Sequence, residues 1–414
     1  MYLDFIREST IAQSHLSDLG FKIRYTEVRK PKSKVNNPMQ EPASPLQVDL
    51  GKILIYHLYD VADAIDLERL RTDWAGRASN IKLVSRRSSP YYLQFEREPL
   101  LLPLGQRSLV LKNERWLDAE VRAKVFDFGV VSLSWEVPFP AAWSEVVNEA
   151  DLYIDSAEVQ TQSREVLEDL MPALKAALDQ PYANILMEDY TVFYVVRYTE
   201  SLTSDHLLQH WGSEIARLIR GESKALSVAE QQNALEQRIS YFEDDLVVMS
   251  WNASFIYDPE GSSEHVDMLE FANSELLELR SYDQMLDQQL EEIYDELASL
   301  HQKRWMVLFR NPFQSTIQKL LSLLIDVSEL TDRIENSLKI IGDLYCARIY
   351  KRISHVLHLQ EWQGRVDGKL NNARQIYDTL SAEVQDRRST LLEVIIVLLI
   401  LVEILLFLFP IAGH

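Results

Sequence analysis

The feature that most constrains this chain is an apolar stretch near its carboxyl end, Leu391 to Phe409, with the sequence LLEVIIVLLILVEILLFLF. Every position in it is apolar except Glu393 and Glu403. As an α-helix the stretch is about 28 Å long, close to the roughly 30 Å thickness of the hydrocarbon core of a bilayer. The aliphatic residues outweigh the unfavourable insertion of the two carboxyls. The sequence therefore predicts a transmembrane helix at residues 391–409.

The residues that flank this stretch predict its orientation. Arg387 and Arg388 come just before it, whereas residues 411–414, after Pro410, contain no Lys or Arg. Positively charged flanks stay on the cytoplasmic side of a membrane. We therefore expect a tail-anchored, single-pass protein with its amino-terminal bulk in the cytoplasm. The membrane would be a bacterial inner membrane or, in a eukaryote, the mitochondrial inner membrane with the bulk facing the matrix.

Glu403 lies near the middle of the predicted span, whereas Glu393 lies at its interface. A carboxyl at mid-membrane is costly unless it is protonated, hydrogen-bonded to a neighbouring helix or able to reach the interface. Two interpretations remain open. Several anchors could assemble with Glu403 facing inward, which gives a homo-oligomer and is the interpretation we favour. The other is a lone helix with a protonated or snorkelling side chain.

The composition limits the partners. The net charge is -21, and such an excess of carboxylates repels nucleic acid and anionic lipid on average. The single cysteine, Cys346, excludes an internal disulfide and fits a reducing compartment. One basic patch is interpreted either as a solvated loop or as a docking site for a ribosome or RNA: Lys22, Arg24, Arg29, Lys30, Lys32 and Lys34. Direct binding of nucleic acid is not expected.

The first half of the chain interleaves strand-like and helical segments, which indicates an α/β head domain. Strands are predicted at Ile53–Leu58, within Val121–Trp135 and at Tyr190–Tyr198, and helices at residues 61–74 and 164–178. No strand is predicted beyond them, because apolar residues then keep a helical period: Leu208, Trp211, Ile215, Leu218, Leu235, Ile239, Phe242, Leu246 and Met249.

The second half of the sequence is predicted to form long helices. Leu286, Leu290, Ile293, Leu297 and Leu300 form a heptad-like seam. A turn at Asn311-Pro312 is followed by a second long helix from Phe313 to about Leu359. Such helices fold back on each other as an antiparallel hairpin. Gly364 and Gly368 suggest a bend before a third helix that leads into the anchor.

The predicted fold class is therefore α+β, with an α/β head, a helical hairpin or coiled-coil bundle and a carboxyl-terminal transmembrane helix. The predicted divisions are an N-terminal segment with a proline-rich loop (1–48), the head (49–200), a helical part of the head (201–262), the hairpin and stalk (263–390), the transmembrane helix (391–409) and the tail (410–414).

Two segments resemble a known family, the "required for meiotic nuclear division" proteins, also called the YagE family, found in bacteria and mitochondria. Residues 126–131, FDFGVV, resemble a strand of that family, and residues 392–403 are similar to its closing membrane segment, in which two glutamates bracket an aliphatic run. The resemblance covers residues 50 to 409. It implies an anchored, self-associating protein with no established enzymatic reaction, whose mitochondrial relatives support translation at the inner membrane. The family signature here is Phe126, Asp127, Phe128 and Gly129.

Asp127-Phe128-Gly129 also spells the magnesium-binding triplet of protein kinases. The glycine-rich phosphate loop and the HRD-type catalytic loop that kinases need are missing from the sequence. We therefore interpret the segment as a buried strand with a glycine at a bulge or close packing point. Asp127 remains of interest, because a carboxylate in an apolar strand must be hydrogen-bonded or paired.

The histidines offer weak metal patterns. His206, His210 and Glu214 have the spacing of one helix face, but they lack a second ligand cluster, so an exposed helix face is the better interpretation. His355 and His358 are interpreted in the same way. No GxxxxGK[ST], GxSxG or CxxC motif occurs in the sequence. We therefore predict no catalytic, cofactor-binding or metal-binding residues and no cofactor.

Three functions remain as hypotheses. The first is a self-associating scaffold on the membrane that tethers a cytoplasmic protein partner, the translation machinery being one candidate. The second is an unrecognised enzyme or ligand-binding head that uses Asp127 or His57. The third is docking of a ribosome or RNA through residues 22–34.

Overall fold

The computed structural model describes residues 45–74, 79–80, 98–302, 313–338 and 344–408. Within these residues, nine strands form one sheet in the spatial order β2-β3-β4-β5-β1-β6-β9-β8-β7. Long helices follow the sheet, which confirms the prediction of an α+β protein. The strands are β1 (Val48–Ile65), β2 (Ser79–Asn80), β3 (Leu100–Val110), β4 (Trp116–Val125), β5 (Val130–Pro138), β6 (Leu178–Tyr198), β7 (Arg238–Ile239), β8 (Leu246–Met249) and β9 (Ala253–Tyr257).

Helices lie on both sides of this sheet. They are α1 (Leu67–Asp73), α2 (Trp143–Asn148), α3 (Ala157–Leu174), α4 (Ser204–Arg220), α5 (Val228–Ala234), α6 (Glu264–Gln302), α7 (Gln314–Leu338), α8 (Leu344–Val356) and α9 (Leu359–Leu408). The predicted helix at residues 164–178 is α3, which ends at Leu174 because the long strand β6 begins at Leu178.

β1 and β6 form the centre of the sheet and pair antiparallel along their length. Residues 53–62 of β1 are buried on both sides of the sheet. A strand covered on both faces reads as a continuous apolar run without alternation. The predicted change from strand to helix after Leu58 was therefore wrong. The strand continues to Ile65, and α1 begins where the Asp66 side chain accepts hydrogen bonds from two backbone N–H groups.

We call the side of the sheet that carries Ile53, Ile55 and Tyr59 the first face. Helices α2, α3 and α4 cover it and form one hydrophobic core with the sheet. Within this core, the ring centroids of Trp143 on α2 and Phe255 on β9 are 5.5 Å apart in an edge-on contact.

Strands β7, β8 and β9 are a feature that the sequence analysis missed. Residues 246–249 and 253–257 are all buried, so these short strands show no alternation of polar and apolar residues. The helical spacing of Ile239, Leu246 and Met249 is a coincidence. β9 joins the sheet parallel to β6. The expectation of a wholly helical segment at residues 201–262 was therefore wrong.

The opposite side of the sheet, which carries Leu54, Tyr56 and Leu58, is the second face, and α6 packs across it. Residues 268–279 of α6 are buried without interruption. Further along, Leu286, Leu290 and Ile293 are buried, which confirms the predicted seam at these positions. Leu297 is partly buried, and the side chain of Leu300 lies outside the described residues.

Helices α7 and α8 complete the bundle. Lys319 Nζ on α7 lies 3.1 Å from Glu296 Oε2 near the end of α6. The predicted turn at Asn311-Pro312 lies outside the described residues. The second long helix, predicted from Phe313 to about Leu359, corresponds to α7 and α8, and residues 339–343 between them lie outside the described residues. His358 adopts a positive φ of 55° and separates α8 from α9, close to the predicted end of that helix.

α9 is one helix of 50 residues. It continues through Gly364 and Gly368 without a break, so the prediction that a separate third helix begins after these glycines was wrong. A Cβ atom at either glycine would meet nothing within 4 Å, which shows that both lie on an open side of the helix. Val366, Ala373 and Leu380 are buried against the bundle.

Beyond residue 384, α9 extends away from the bundle core. Residues 389–405, which we call the stem, are all exposed. Within the residues that the structure describes, no helix combines the length and the apolar character that a membrane span requires.

Candidate functional site

The segment Phe126–Gly129 forms the tight turn between β4 and β5, not the strand that we predicted. Phe126 N–H donates to the carbonyl of Val130 at 2.9 Å. The turn is fastened to β1, because Val61 N–H donates to the Gly129 carbonyl at 3.1 Å and Ile65 N–H donates to the Asp127 carbonyl at 2.9 Å. The segment resembled a strand because Phe126, Phe128 and Gly129 are all buried.

Gly129 is required by this turn. Its φ is +100°, a region that residues with a side chain rarely adopt. A Cβ atom there would lie 1.8 Å from the carbonyl oxygen of Ala62. The prediction that this glycine marks a close packing point is therefore confirmed, although the packing occurs at a turn.

Next to this turn, β1, β6 and α6 bring acidic and phenolic side chains together. We call Asp60, Asp63, Tyr182, Glu278 and Tyr282 the acid–tyrosine cluster. The Tyr282 hydroxyl donates to Glu278, and the Tyr182 hydroxyl bonds Asp63. Burial, and then the neighbouring carboxylates, raise the pKa of both tyrosines well above its usual range.

Asp60 is a strongly perturbed carboxyl in this cluster. It is buried, and the burial raises its pKa to about 7, with the nearby charge of Asp63 acting in the same direction. Such a group holds a proton at mildly acidic pH. Because only 1% of Asp60 is exposed, this proton is held inside the fold, where a bulky substrate has no direct contact with it.

The same face of the sheet holds a buried ion triad of Lys124 on β4 with Asp267 and Glu270 on α6. Lys124 Nζ lies 2.8 Å from Asp267 Oδ1 and also contacts the Glu270 carboxylate. Burial alone would lower the pKa of Lys124, but the two carboxylates outweigh it and raise that pKa. The triad joins the sheet to α6 at a point where each charge is paired.

His57 takes part in a different buried network, on the first face. Its Nδ1 lies 2.9 Å from the Ser163 hydroxyl, which also accepts a hydrogen bond from Trp135 Nε1 at 2.7 Å. Burial lowers the pKa of His57 to about 4, so its imidazole is neutral at physiological pH. A Ser–His pair can generate a nucleophile, but Ser163 is fully buried. This network therefore fastens α3 to β1.

Open pockets occur on both faces of the sheet, and two of them illustrate this. One, of about 480 Å³, lies beside Gly51 on the second face, and the other, of about 390 Å³, lies between β3 and α3. The charged side chains of the first pocket are largely paired: Lys52 with Glu136 at 3.1 Å, and Arg122 with Glu120 at 3.0 Å. Neither pocket is lined by Asp127 or His57.

The predicted histidine patterns lie on the surface. His206 and His210 share one side of α4, with ring centroids 4.2 Å apart, and Glu214 lies one turn further. His355 and His358 lie where α8 ends, with ring centroids 6.4 Å apart. Among the described residues, no group of three or more His, Cys, Asp or Glu side chains is arranged to hold a metal ion.

The residues assigned to the membrane lie on α9. Glu393 and Glu403 are both exposed on the stem. The side chains of Arg387 and Arg388 lie outside the described residues, although their backbone is part of α9. The basic patch at residues 22–34 and the proline-rich loop also lie outside the described residues.

The sheet domain, which we define as residues 48–257 from the start of β1 to the end of β9, lies almost wholly within the range that the chain shares with known proteins. A family model described as "Uncharacterized protein MJ0711, N-terminal domain" matches residues 50–264, more than half of the chain. The chain belongs to this family. One relative, "Uncharacterized protein MJ0711" of Methanocaldococcus jannaschii, is 27% identical over 243 residues, which is 58% of this chain and 72% of the relative. No solved structure matches the chain.

The range matched by the MJ0711 N-terminal family begins in β1 and ends at Glu264, the first residue of α6. It therefore contains the Phe126–Gly129 turn and the members of the acid–tyrosine cluster that the sheet contributes. Glu278 and Tyr282, which α6 contributes, lie outside it. Sequence reasoning singled out this segment and its glycine, although it predicted a strand there, and it missed the cluster.

Proposed function

We propose that this protein is a membrane-tethered, self-associating scaffold, in which the bundle carries the sheet domain and a soluble partner near a bilayer. The observation that carries this proposal is the continuity of α9. The helix packs in the bundle through Val366, Ala373 and Leu380 and then continues without a break as the exposed stem. The sheet domain and the stem are thus parts of one connected framework.

The character of the stem supports a bilayer as its surroundings. From Leu391 to Leu405 the side chains are apolar except for Glu393 and Glu403, and they are exposed on every side of the helix. A helix that is apolar all round is stable where an apolar medium surrounds it. A bilayer provides such a medium, whereas a soluble partner covers one side of a helix.

The length of the apolar stretch is consistent with an anchor. From Leu391 to Leu405 the stem measures about 22 Å, which is shorter than the hydrocarbon core of a bilayer. The sequence continues with apolar residues to Phe409, which brings the apolar stretch to about 28 Å. Under the proposal, Arg387 and Arg388 lie on the cytoplasmic side and place the sheet domain there.

The direction of α9 separates the sheet domain from the bilayer. α9 and α6 run in the same direction, because Lys369 Nζ lies 2.6 Å from Asp283 Oδ1 and Asn372 bonds the Tyr294 hydroxyl at 3.0 Å further along both helices. The stem therefore leaves the bundle away from the sheet. About 30 residues of α9 precede Leu391, so the proposed scaffold holds the sheet domain roughly 45 Å from the membrane.

The test of tethering is flotation of the full chain with liposomes on a density gradient. We expect the wild-type protein to float with the lipid and to stay there in high salt. Leu398→Lys combined with Leu399→Lys puts two charges in the middle of the stem, each unfavourable by about 3 kcal/mol, and should abolish flotation.

The matched control is Leu321→Lys combined with Ile325→Lys, which adds the same charges at exposed apolar positions of α7. This variant should float like the wild-type protein. Equal flotation of both variants would contradict an anchor at the stem.

Self-association is proposed to involve Glu403, through hydrogen bonds between neighbouring anchors. Glu403→Leu should reduce the mass of the protein–detergent particle measured by light scattering. The control is Glu393→Leu, at the predicted interface, which should leave that mass unchanged. An unchanged mass for Glu403→Leu would exclude Glu403 as the contact.

The partner is proposed to be a cytoplasmic protein, and the resemblance to the "required for meiotic nuclear division" family supports the translation machinery as a candidate. A pull-down from solubilised membranes, comparing the full chain with a chain that ends at Arg388, tests this. Ribosomal components retained by both chains would favour a role in translation that the sheet domain and bundle perform without the anchor. Recovery of the protein alone, and only with the anchor present, would leave self-assembly as the function.

The alternative of a catalytic or ligand-binding head is less favoured by the geometry. Its residues, Asp127 and His57, lie in a backbone turn and in a buried hydrogen-bond network, apart from both described pockets. If a small molecule protected the backbone amides around Asp127 or His57 from hydrogen exchange, that result would favour the catalytic or ligand-binding alternative.

A further inference from the structure

Helix α8 is a short element that packs against α6. Its inner side carries Cys346, Ile349 and Ile353, which are all fully buried. The helix is not continuous with α9, because His358 between them adopts a positive φ of 55°. α8 therefore has an end at which its direction can change without bending α9.

Polar contacts join α8 to α6: the Cys346 thiol donates to Glu264 Oε2 at 3.8 Å, and another contact involves Glu275 of α6. Its Oε2 accepts a hydrogen bond from the Tyr350 hydroxyl of α8 at 2.5 Å. Its second oxygen, Oε1, is buried and has no hydrogen-bond partner among the described residues. An ionised carboxylate with one bare oxygen in such a place is strongly unfavourable, whereas a protonated carboxyl is tolerated.

The charged groups around Glu275 do not relieve this penalty. Tyr350 faces it from α8, and Glu278 follows one turn later on α6. In the described part of the chain, no cation of the sheet, α7 or α9 pairs with Glu275. Burial raises the pKa of Glu275 to about 8, although the hydrogen bond from Tyr350 acts in the opposite direction.

We propose that the proton on Glu275 latches α8 onto α6, so that ionisation of this carboxyl releases α8 and exposes the apolar surface beneath it. In the open state, in which α8 is released from α6, water solvates the carboxyl of Glu275 and its pKa returns to the usual value for a glutamate. The closed state then keeps a proton that the open state has lost. Between about pH 5 and pH 8, each unit of pH therefore favours opening about tenfold, and above pH 8 the effect levels off.

Cys346 provides a reporter within α8 itself. It is the single cysteine of the chain, and it is buried in the interface that opening would expose. The experiment measures the rate at which a thiol reagent labels Cys346 in the full chain in detergent micelles. Dividing this rate by that of the unfolded chain at the same pH removes the pH dependence of the thiolate itself.

The expected result is a relative labelling rate that rises about tenfold per pH unit from pH 6 to pH 8 and is flat above pH 8. Glu275→Gln cannot ionise and should give a rate that does not change with pH. The matched control is Glu291→Gln, an exposed position of the same helix, which should keep the wild-type slope.

Tyr350→Phe supplies a second test that does not depend on the folding of the Glu275 variant. It removes the hydrogen bond that lowers the pKa of Glu275. The relative labelling rate of Cys346 should therefore stop rising at a higher pH than in the wild-type protein. A wild-type rate that is independent of pH would overturn the proposal. So would a slope that persists in Glu275→Gln, or an unmoved profile in Tyr350→Phe.

Discussion

A Cβ atom on Gly129 would lie 1.8 Å from the carbonyl oxygen of Ala62. The carbonyl belongs to β1, so the backbone and not a flexible side chain would have to move. We predict that Gly129→Ala destabilises the fold by about 3 kcal/mol or more, because it combines this overlap with a positive φ. Urea unfolding of the sheet domain, followed by circular dichroism, measures the loss.

Gly105→Ala is the matched control, since Gly105 also has a positive φ, of +85°, but open space around it. It should cost only about 1 to 2 kcal/mol. Equal losses in the two variants would mean that backbone conformation, and not the contact with Ala62, makes Gly129 necessary.

The ion triad supports a second prediction. Lys124→Met leaves the carboxylates of Asp267 and Glu270 buried without their cation, and it should destabilise the fold by about 3 to 5 kcal/mol. Adding Glu270→Gln and Asp267→Asn removes the unpaired charges and should restore much of the stability. The free energy of unfolding in urea at pH 7 is the quantity to compare.

Lys52→Met is the control for this pair of experiments. Lys52 and Glu136 form a partly exposed ion pair on the same face of the sheet, and such pairs contribute about 1 kcal/mol or less. If Lys52→Met were as destabilising as Lys124→Met, burial would not explain the importance of the triad.

The raised pKa of Asp60 predicts a dependence of stability on pH. The folded state keeps the proton of Asp60 up to about pH 7, whereas an unfolded Asp loses it near pH 4. Between these values the folded state binds more protons, so the free energy of unfolding falls as pH rises. The fall in the free energy of unfolding levels off above pH 7 and amounts to about 4 kcal/mol for this group.

Asp60→Asn removes this ionisation and should be more stable than the wild-type protein at pH 7.5, with little difference at pH 4. Unfolding in urea at both values checks the sign. Glu275 also lowers the free energy of unfolding as pH rises, up to about pH 8. Asp60→Asn should therefore reduce the dependence of the free energy of unfolding on pH without removing it. A variant that is less stable than wild type at pH 7.5 would contradict the assignment.

The helical half of the chain was predicted well because its signal is local. The seam at Leu286, Leu290 and Ile293 follows from helical spacing alone, and these residues are buried. The end of α8 at Val356, just before His358 in the left-handed region, lies close to the predicted end at about Leu359.

The sheet was harder to predict, because β1, β8 and β9 are covered on both faces and lose their alternation. Tertiary packing, and not local spacing, decides between helix and strand for such runs. The acid–tyrosine cluster was missed for a related reason, since β1, β6 and α6 bring its members together from distant positions. A signal was present in α6, where the carboxyls of Glu270, Glu275 and Glu278 lie in a continuously buried stretch.

The central claim is that the stem lies in a bilayer, and its most direct measurement is lipid-dependent quenching at two labelled positions. Cys346 is first replaced by alanine, and a fluorophore is attached at Ile400→Cys on the stem or at Ile325→Cys on α7. These positions have similar exposure, 51% and 57%. In liposomes with quenchers on the acyl chains, the label at residue 400 should be strongly quenched and the label at residue 325 unaffected. Equal quenching at the two positions would contradict a membrane-inserted stem.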